Sequence, residues 1–451
     1  MIPIPWRRDR VFWTIFALAA FLGVAYNAVL MLGFGPDEGR HMNYVRLLWD
    51  EHRLPFILPD GKEYADAHSL HPPLYYVLLA PFYGLFHTAL GENVWHGERL
   101  LSMALCLATL PMIYQLAWRA AGAGAGAGAN ANEARPVARL ATAHAALLPA
   151  FGMAYGTVNN DSLALFSSVL FMWILTFRSP SRDFKSLLIV GLAFALGASS
   201  KATLLIGNAA ALLAFFWASD GARFARKLAT YRTAAVVFLT TSLLAGPWYV
   251  RNFLLYGKFV PIASGYTISA LPKPSLGYLV MLLHPNFPTV FLVAMWGIFY
   301  SAWSQKDWIP ETIRQSLYLA LAFYCLAATC GQIRARIAKK RLPIISSTRS
   351  EAELTSSRVA RWSSYSTLAA TWGACLFTAL FVHWGWAEGG RYLLPALPGL
   401  AIFLALGWRD WLGAARLGFL SVAWIAAMLA LNAVCLYWLV TYLNPTFGPK
   451  S

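Results

Sequence analysis

Charge is what this chain has least of. Only 12% of its 451 residues are Asp, Glu, Lys or Arg, while 58% are hydrophobic and the mean hydropathy is +0.52. That balance excludes a water-soluble domain of this size. Cysteine is scarce too. Cys106, Cys325, Cys330, Cys375 and Cys435 all lie in apolar stretches and none forms a CxxC. No disulfide framework and no thiolate metal site is expected, since such cysteines act as small hydrophobes. The apolar runs do not alternate with polar residues, which excludes an outer-membrane barrel. There is no repeat of fixed period and no stretch long enough for a useful soluble domain; the tail NPTFGPKS is too short.

What is present is a series of apolar stretches of about 17–25 residues, the length that crosses a bilayer core. The fold class is therefore all-α and polytopic. Spans are expected near 11–34, 99–118, 140–157, 162–177, 186–200, 202–218, 233–249, 313–331, 365–386, 391–407 and 416–440. MIPIPWRRDR is basic like a signal-peptide n-region, but the run after it is too long for a signal h-region and lacks a clear cleavage site. It reads as an uncleaved first span with a cytoplasmic N-terminus.

The net charge of +16 does not point to nucleic acid. The basic residues sit in short segments between apolar runs, with no basic face of a soluble domain. Arg119, Arg135 and Arg139; Arg178, Arg182 and Lys185; Arg223, Arg226, Lys227 and Arg232; Arg334, Arg336, Lys339, Lys340 and Arg341; and Arg409 with Arg416 all fall on one side. The positive-inside rule makes that side the cytoplasm.

Parity then decides two ambiguous stretches. Counting HPPLYYVLLAPFYGLF as a crossing would turn every later basic loop outward. It is better read as a helix in the interface, with Pro72 and Pro73 in the first turn. Region 275–303 poses the same problem, so 11 to 13 crossings are expected. The chain is one integral-membrane domain, 1–451. It has a first outer (periplasmic) loop at 35–98 with interfacial helices, a second large outer segment at 250–312 and a basic cytoplasmic loop at 332–364. AGAGAGAGANANEA (121–134) is low-complexity linker.

The outer face collects the unusual residues. GPDEGRHMNYVRLLWDEHRLPF places Asp37 and Glu38 side by side as the chain leaves its first span. A helix from about 38 to 53 is amphipathic: Met42, Val45, Leu48 and Trp49 on one stripe, Arg40, Asn43, Arg46, Asp50 and Arg53 on the other. Such a helix lies on a membrane and pins the two carboxylates at its boundary, with His41 one turn away. Other outer corners carry His71, then Asn159, Asn160 and Asp161, then Lys201, Arg251, and Glu388 with Arg391. Carboxylates beside scattered cations suit a substrate with a phosphate and a hydroxyl to be deprotonated, its tail remaining in the bilayer.

Each element also has a plainer reading. Asp37–Glu38 fits a helix N-terminus favoured by the dipole, and His71 before Pro-Pro fits a turn. Lys201 fits a side chain reaching to headgroups. Arg251 and Arg391 fit anchors beside Trp248, Tyr249 and Tyr392, and VNND fits a helix cap. Convergence on one face is the stronger signal.

In order, PDEGRHMNYVRLL, HPPLYYVLLAPFYGLF, VNNDSLALF, PWYVRNFLLYGKFVP and GRYLLPALPGLA resemble the GT-C superfamily of integral-membrane glycosyltransferases. The branch is that of protein O-mannosyltransferases and the lipid A aminoarabinose transferase. The likeness covers nearly the whole chain. It implies a polyprenyl-phosphate-linked sugar donor, an active site on the outer face of the bacterial cytoplasmic membrane, and inversion at the anomeric centre.

Carried onto this chain, the resemblance makes Asp37 the general base for an acceptor hydroxyl. Glu38 perturbs it or orients the acceptor. Lys201, Arg251, Arg391 and His71 hold the donor phosphate, and His41, Asn160, Asp161 and Glu388 support the acceptor. Some relatives use a divalent ion and others do not. Glu38, His41 and His71 could ligate one, but no spacing compels a metal. The sequence departs from the mannosyltransferases in lacking large soluble insertions and in running HPPLYY where they carry further glycine and lysine residues after HPP. Glycan- or lipid-linked acceptors are expected over protein ones.

Two other classes share parts of this pattern. A lipid-linked glycan flippase or transporter calls for charges deep in spans and broken paired halves; few such charges and no inverted repeat are found. An O-antigen polymerase or ligase calls for a very large outer loop late in the chain, whereas here the first outer loop dominates.

Overall fold

The computed structural model describes residues 4–443, apart from 34, 36, 70, 123–130, 179–182, 221–226, 261–310 and 342–393. The helices are α1 Arg10–Val29, α2 Glu38–Asp50, α3 Leu74–Leu90, α4 Trp95–Ala120, α5 Ala131–Ala146, α6 Pro149–Gly156 and α7 Asp161–Phe177. They continue with α8 Phe184–Ser200, α9 Thr203–Asp220, α10 Leu228–Leu244, α11 Gly246–Tyr256, α12 Glu311–Arg341, α13 Leu397–Leu412 and α14 Ala414–Trp438. Among the described residues no strand forms; one bridge pairs Ile57 with Glu63. The all-α polytopic class is found as expected.

Among the described residues, four helical stretches are long and apolar enough to cross a membrane: Arg10–Val29, Leu74–Asn93, Trp95–Ala120 and Ala414–Thr441. The pair α10 and α11, bent by 60°, makes a fifth when taken as one span. Four shorter apolar helices accompany them, at Asp161–Phe177, Phe184–Ser200, Thr203–Trp217 and Leu319–Ala335. The expected span 365–386 and most of the segment 250–312 lie outside the described residues. The basic stretch expected as a loop from 332 is helical as far as Arg341.

The bundle has two chemically distinct ends. At one, Asp9 caps α1 through Val11 N (3.0 Å) and accepts from Arg139 Nε (2.9 Å) and the Tyr114 hydroxyl (2.5 Å). Burial raises the Asp9 carboxyl, but Arg139 and Tyr114 outweigh it and hold the group below its usual range. Arg409 donates to Ala121 O at the same end (3.3 Å). The other end lies at the far side of α1, a helix about 30 Å long, where the chain reaches Asp37. Cytoplasmic-type arginines and the acidic pair are thus separated as the loop charges require.

The expected span at 140–157 is two helices, α5 and α6, broken where Leu147 and Leu148 precede Pro149. A proline cannot donate to the preceding turn, so nearby carbonyls lose partners. Side chains repair this: Asn432 Nδ2 donates to Leu147 O (2.9 Å) and the Tyr155 hydroxyl to Ala146 O (3.1 Å). The Tyr26 hydroxyl in turn holds Asn432 Oδ1 (2.8 Å), tying α1, α14 and the break together.

Helices α2 and α3 run side by side in the same direction. His41 meets Tyr76 (Nδ1 to hydroxyl 2.7 Å), Tyr44 stacks on Tyr76 (3.8 Å between ring centres), and two turns on Trp49 meets Tyr83 (6.5 Å). Helix α2 stops at Asp50, short of the expected 53, and its buried face is Met42, Tyr44, Val45 and Leu47 with His41. Trp49 is half-exposed, and only its contact with α3 covers it. The stretch Leu74–Asn93 has the length and apolarity of a span, and the expectation that α3 lies in the interface rests on its pairing with the amphipathic α2.

Helices α12 and α13 cross closely enough that backbone meets backbone. A Cβ at Gly407 would lie 2.1 Å from the Ala328 carbonyl oxygen. Without a hydrophobic drive between helices in lipid, such close approach of small residues is what joins them. Gly407→Ala is expected to cost about 1–3 kcal/mol and to lower the thermal unfolding midpoint in detergent. Gly418→Ala, with nothing within 4 Å of its Cβ position, is expected to leave the midpoint unchanged.

Candidate active site at the first outer loop

The site is organised around a buried carboxylate. Arg99 on α4 grips Glu38 in a fork, Nε to Oε1 and Nη2 to Oε2, each 2.8 Å. Val158 N donates to Oε1 (2.8 Å) and Gly33 N to Oε2 (3.2 Å). The remaining guanidinium protons go to carbonyls at the end of α1: Leu30 (2.7 Å), Asn27 (3.2 Å) and Met31 (3.3 Å). The Trp95 ring covers the guanidinium at 4.2 Å. Both side chains are fully buried. Glu38 therefore joins α1, α2, α4 and the corner before α7, with both oxygens engaged.

Asp37, beside it, does something different. It precedes α2 in the left-handed region (φ 59°) and its side chain makes no capping bond to the helix. The pair does stand at a helix N-terminus, as the plainer reading expected, with Glu38 in the first turn of α2. Asp37 Oδ2 faces His68 Nε2 at 3.9 Å.

His68 belongs to a group of three imidazoles with His41 and His71, whose ligand atoms all lie within 4.8 Å of one another. Ring centres are 4.8 Å apart for His41–His68 and His68–His71, and 5.6 Å for His41–His71. His41 Nδ1 pairs with the Tyr76 hydroxyl, and His68 Nδ1 faces Glu63 Oε2 at 3.9 Å. These residues form a group that could hold a metal ion.

Glu63 is buried and accepts from Ser69 N (2.8 Å), Ser69 Oγ (2.7 Å) and Arg40 Nη2 (2.6 Å). Burial raises its carboxyl above the usual carboxylate range, with Ser69 and Arg40 opposing. A pocket of about 220 Å³ opens beside Asp37, with Arg40, Asn43, Arg46 and Asp66 on its wall. It offers carboxylates and guanidinium groups within one loop; the imidazoles reach it through His68, 3.9 Å from Asp37 Oδ2.

The other expected residues fall around this centre. Arg251 on α11 donates from Nη2 to Pro55 O (2.9 Å), and Tyr256 accepts from Ile57 N (3.1 Å), so α11 docks on the first outer loop. Arg251 is close enough to act on Tyr44, whose hydroxyl burial holds well above its usual range. Lys201 and Asp161 form a buried ion pair. Asn160 Nδ2 donates to Ser200 O (3.3 Å), and Asn159 N to the Tyr75 hydroxyl (3.1 Å). Asp161 acts on Tyr76 electrostatically, which joins this pair to the histidine group. Tyr249 donates to Ala198 O (2.8 Å) on α8. Asp37, Lys201 and Arg251 thus meet at one end of the bundle. Arg391 and Glu388 lie outside the described residues.

Sequence reading missed Arg99, His68 and Glu63. Arg99 and Glu98 open an apolar helix in GERLL, and charge at such depth calls for a partner. His68 stands three residues before His71 in HSLH, a spacing at which two imidazoles can converge.

No family model matches the chain, and no curated protein matches it. Solved structures do. The Archaeoglobus fulgidus oligosaccharyltransferase tethered with an acceptor peptide containing the NVT sequon matches with a TM-score of 0.54 and 15% identity, over 96% of this chain and 56% of that one. The same enzyme in complex with Zn and sulfate matches at 0.53 and 15%, over 94% and 53%. ArnT from Cupriavidus metallidurans bound to undecaprenyl phosphate matches at 0.40 and 14%, over 91% and 77%. The likeness to the oligosaccharyltransferase is one of fold, and the fold implied by the motif order is thereby found. The chain spans little more than half the length of that enzyme.

The clamp makes a measurable demand. Removing one partner of a buried ion pair strands the other charge, at about 3–5 kcal/mol. Arg99→Ala and Glu38→Ala are each expected to lower thermal stability in detergent strongly. The double change Glu38→Gln with Arg99→Met is expected to be milder than Arg99→Ala alone.

Proposed function

We propose that the chain transfers a sugar from a polyprenyl-phosphate-linked donor to a hydroxyl of a glycan- or lipid-linked acceptor, with inversion. The reaction takes place at the periplasmic face of a bacterial cytoplasmic membrane. The observation that carries this reading is Asp37: a carboxylate on the wall of a pocket that Arg40 and Arg46 also line. The fold shared with an oligosaccharyltransferase supports sugar transfer as the reaction class. The pairing of α2 with α3 at the membrane boundary supports a lipid-linked substrate.

In this reading Asp37 accepts the proton of the acceptor O–H as that oxygen attacks C1 of the sugar. The C1–O bond to the phosphate breaks, and polyprenyl phosphate leaves with the bonding pair. One displacement inverts the centre. Arg46, on the pocket wall, joins Arg251, Arg391 and Lys201 in offsetting negative charge on the departing phosphate. Lys201 acts from its pair with Asp161, and Arg251 from its seat on Pro55. His71 stands at the same place. Asn160 and His41 steady the corner and the first helix against which the acceptor lies. Glu38 positions Asp37. A divalent cation fits among the imidazoles, where it would neutralise charge on the phosphate.

General-base catalysis contributes about 10²–10⁴-fold. Asp37→Asn is expected to cut release of free polyprenyl phosphate from labelled donor by at least about 100-fold, with thermal stability and donor binding preserved. Arg391→Ala is expected to weaken donor binding instead. Full activity of Asp37→Asn would remove Asp37 from the base role.

A further inference from the structure

The set of residues read from the sequence as a conceivable metal site was Glu38, His41 and His71. The geometry points to a different one. We propose that His41, His68 and His71 form a binding site for a late first-row transition metal of the Zn²⁺ class, with Glu63 and Tyr76 behind the ligands, and that Mg²⁺ and Ca²⁺ are discriminated against. Metal binding itself stands on the residues described here. Its bearing on turnover rests on the glycosyl-transfer reading.

Glu38 does not belong to the set. Its Oε1 accepts from Arg99 Nε and Val158 N, and its Oε2 from Arg99 Nη2 and Gly33 N. Ligation would break that clamp and leave Arg99 buried without its counter-charge. His68 takes the vacated place, and the three rings converge with ligand atoms within 4.8 Å. Two nitrogens bound to one tetrahedral Zn²⁺ lie about 3.4 Å apart, so the rings must draw together by about 1.4 Å at most, within reach of side-chain rotation.

The groups behind the rings are those a metal-binding imidazole uses. His41 Nδ1 is engaged by the Tyr76 hydroxyl at 2.7 Å, which fixes the ring and leaves Nε2 as the ligand atom of the proposed site. His68 Nδ1 faces the buried Glu63 carboxylate at 3.9 Å. A carboxylate behind a ligating histidine sets its tautomer and strengthens the ligand. Glu63 is itself held by Ser69 and Arg40, so it is a fixed support. Asp37 Oδ2 lies 3.9 Å from His68 Nε2, so the carboxylate adjoins the proposed site.

Ligand type sets selectivity. Imidazole suits Zn, Cu, Ni and Fe, whereas Mg²⁺ and Ca²⁺ take oxygen. Three nitrogens in one loop therefore favour Zn²⁺ or its spectroscopic substitute Co²⁺.

The test uses the untagged full chain in detergent, stripped with chelator and given no donor. Zn²⁺, Co²⁺ and Mg²⁺ are titrated by calorimetry, bound metal is counted by elemental analysis, and the Co²⁺ visible spectrum reports nitrogen ligation. One equivalent of Zn²⁺ is expected, bound at least about 100-fold more tightly than Mg²⁺. His68→Ala and His71→Ala should each abolish the equivalent. Glu63→Gln should keep the fold by thermal unfolding yet weaken binding about 10–100-fold. His87→Ala, exposed on α3, should change nothing. No equivalent in the wild type, an equivalent retained in the His68→Ala, His71→Ala double variant, or Mg²⁺ competing evenly with Zn²⁺ overturns the proposal. Should the histidine variants unfold, Glu63→Gln decides it: unchanged affinity overturns it. Transfer without metal binding sinks this inference alone; metal binding without transfer sinks the glycosyl-transfer reading alone.

Discussion

The pairing of Glu38 with Arg99 is the constraint on which the outer end of the molecule depends. Two opposite charges taken out of water lose several kcal/mol of hydration each, and attraction alone recovers this only when every remaining donor and acceptor is satisfied. Here they are. The carboxylate takes two guanidinium N–H groups and two backbone N–H groups, and the guanidinium caps the carbonyls left over where α1 ends. Those carbonyls would otherwise be orphaned at the edge of a lipid phase. One ion pair therefore ends the first span, starts the first outer helix, anchors α4 and holds the corner before α7.

Asp37 inherits its geometry from that clamp. A residue with a Cβ in the left-handed region costs about 1–2 kcal/mol, and Asp tolerates it better than most. Placed one residue before a fixed Glu38, the backbone has little freedom left. From this turn the Asp37 carboxylate comes to 3.9 Å from His68 Nε2. The adjacent carboxylates thus divide their work: one is buried and saturated, and the other borders the pocket. Substituting the two in the same way would report two different things, fold in one case and chemistry in the other.

Much of the fold was legible because the bilayer leaves few choices. Apolar runs became helices α1, α4, α7, α8, α9 and α14 close to where expected. The site was legible in part: Asp37, His41, His71, Lys201, Arg251 and the VNND corner do gather at one end. The rest depended on pairing, which a single sequence does not display. Nothing in GERLL says that Arg99 reaches Glu38 across 61 positions, and Lys201 reads like a loose surface lysine until Asp161 is seen against it. His68 hid because HSLHPP reads as a turn. The break at Pro149 hid because Asn432 and Tyr26, which repair it, come from other helices.

The depth of the site follows from the pairing of its two helices. A span standing upright beside α4 would carry its far end away from the first loop. Helix α3 instead tracks α2 residue by residue, Tyr76 under His41 and Tyr83 under Trp49, and α2 has a polar stripe that lipid tails cannot solvate. The Asp37 carboxylate and the three imidazoles sit toward the shared N-terminal end of this pair. In the proposed reading the pair lies along the membrane surface, and a headgroup carried on a long hydrocarbon tail reaches the pocket by lateral diffusion with its tail still in the bilayer. The polar stripe of α2 is the feature that argues for that placement, and a lipid-borne substrate follows from it rather than from the pocket alone.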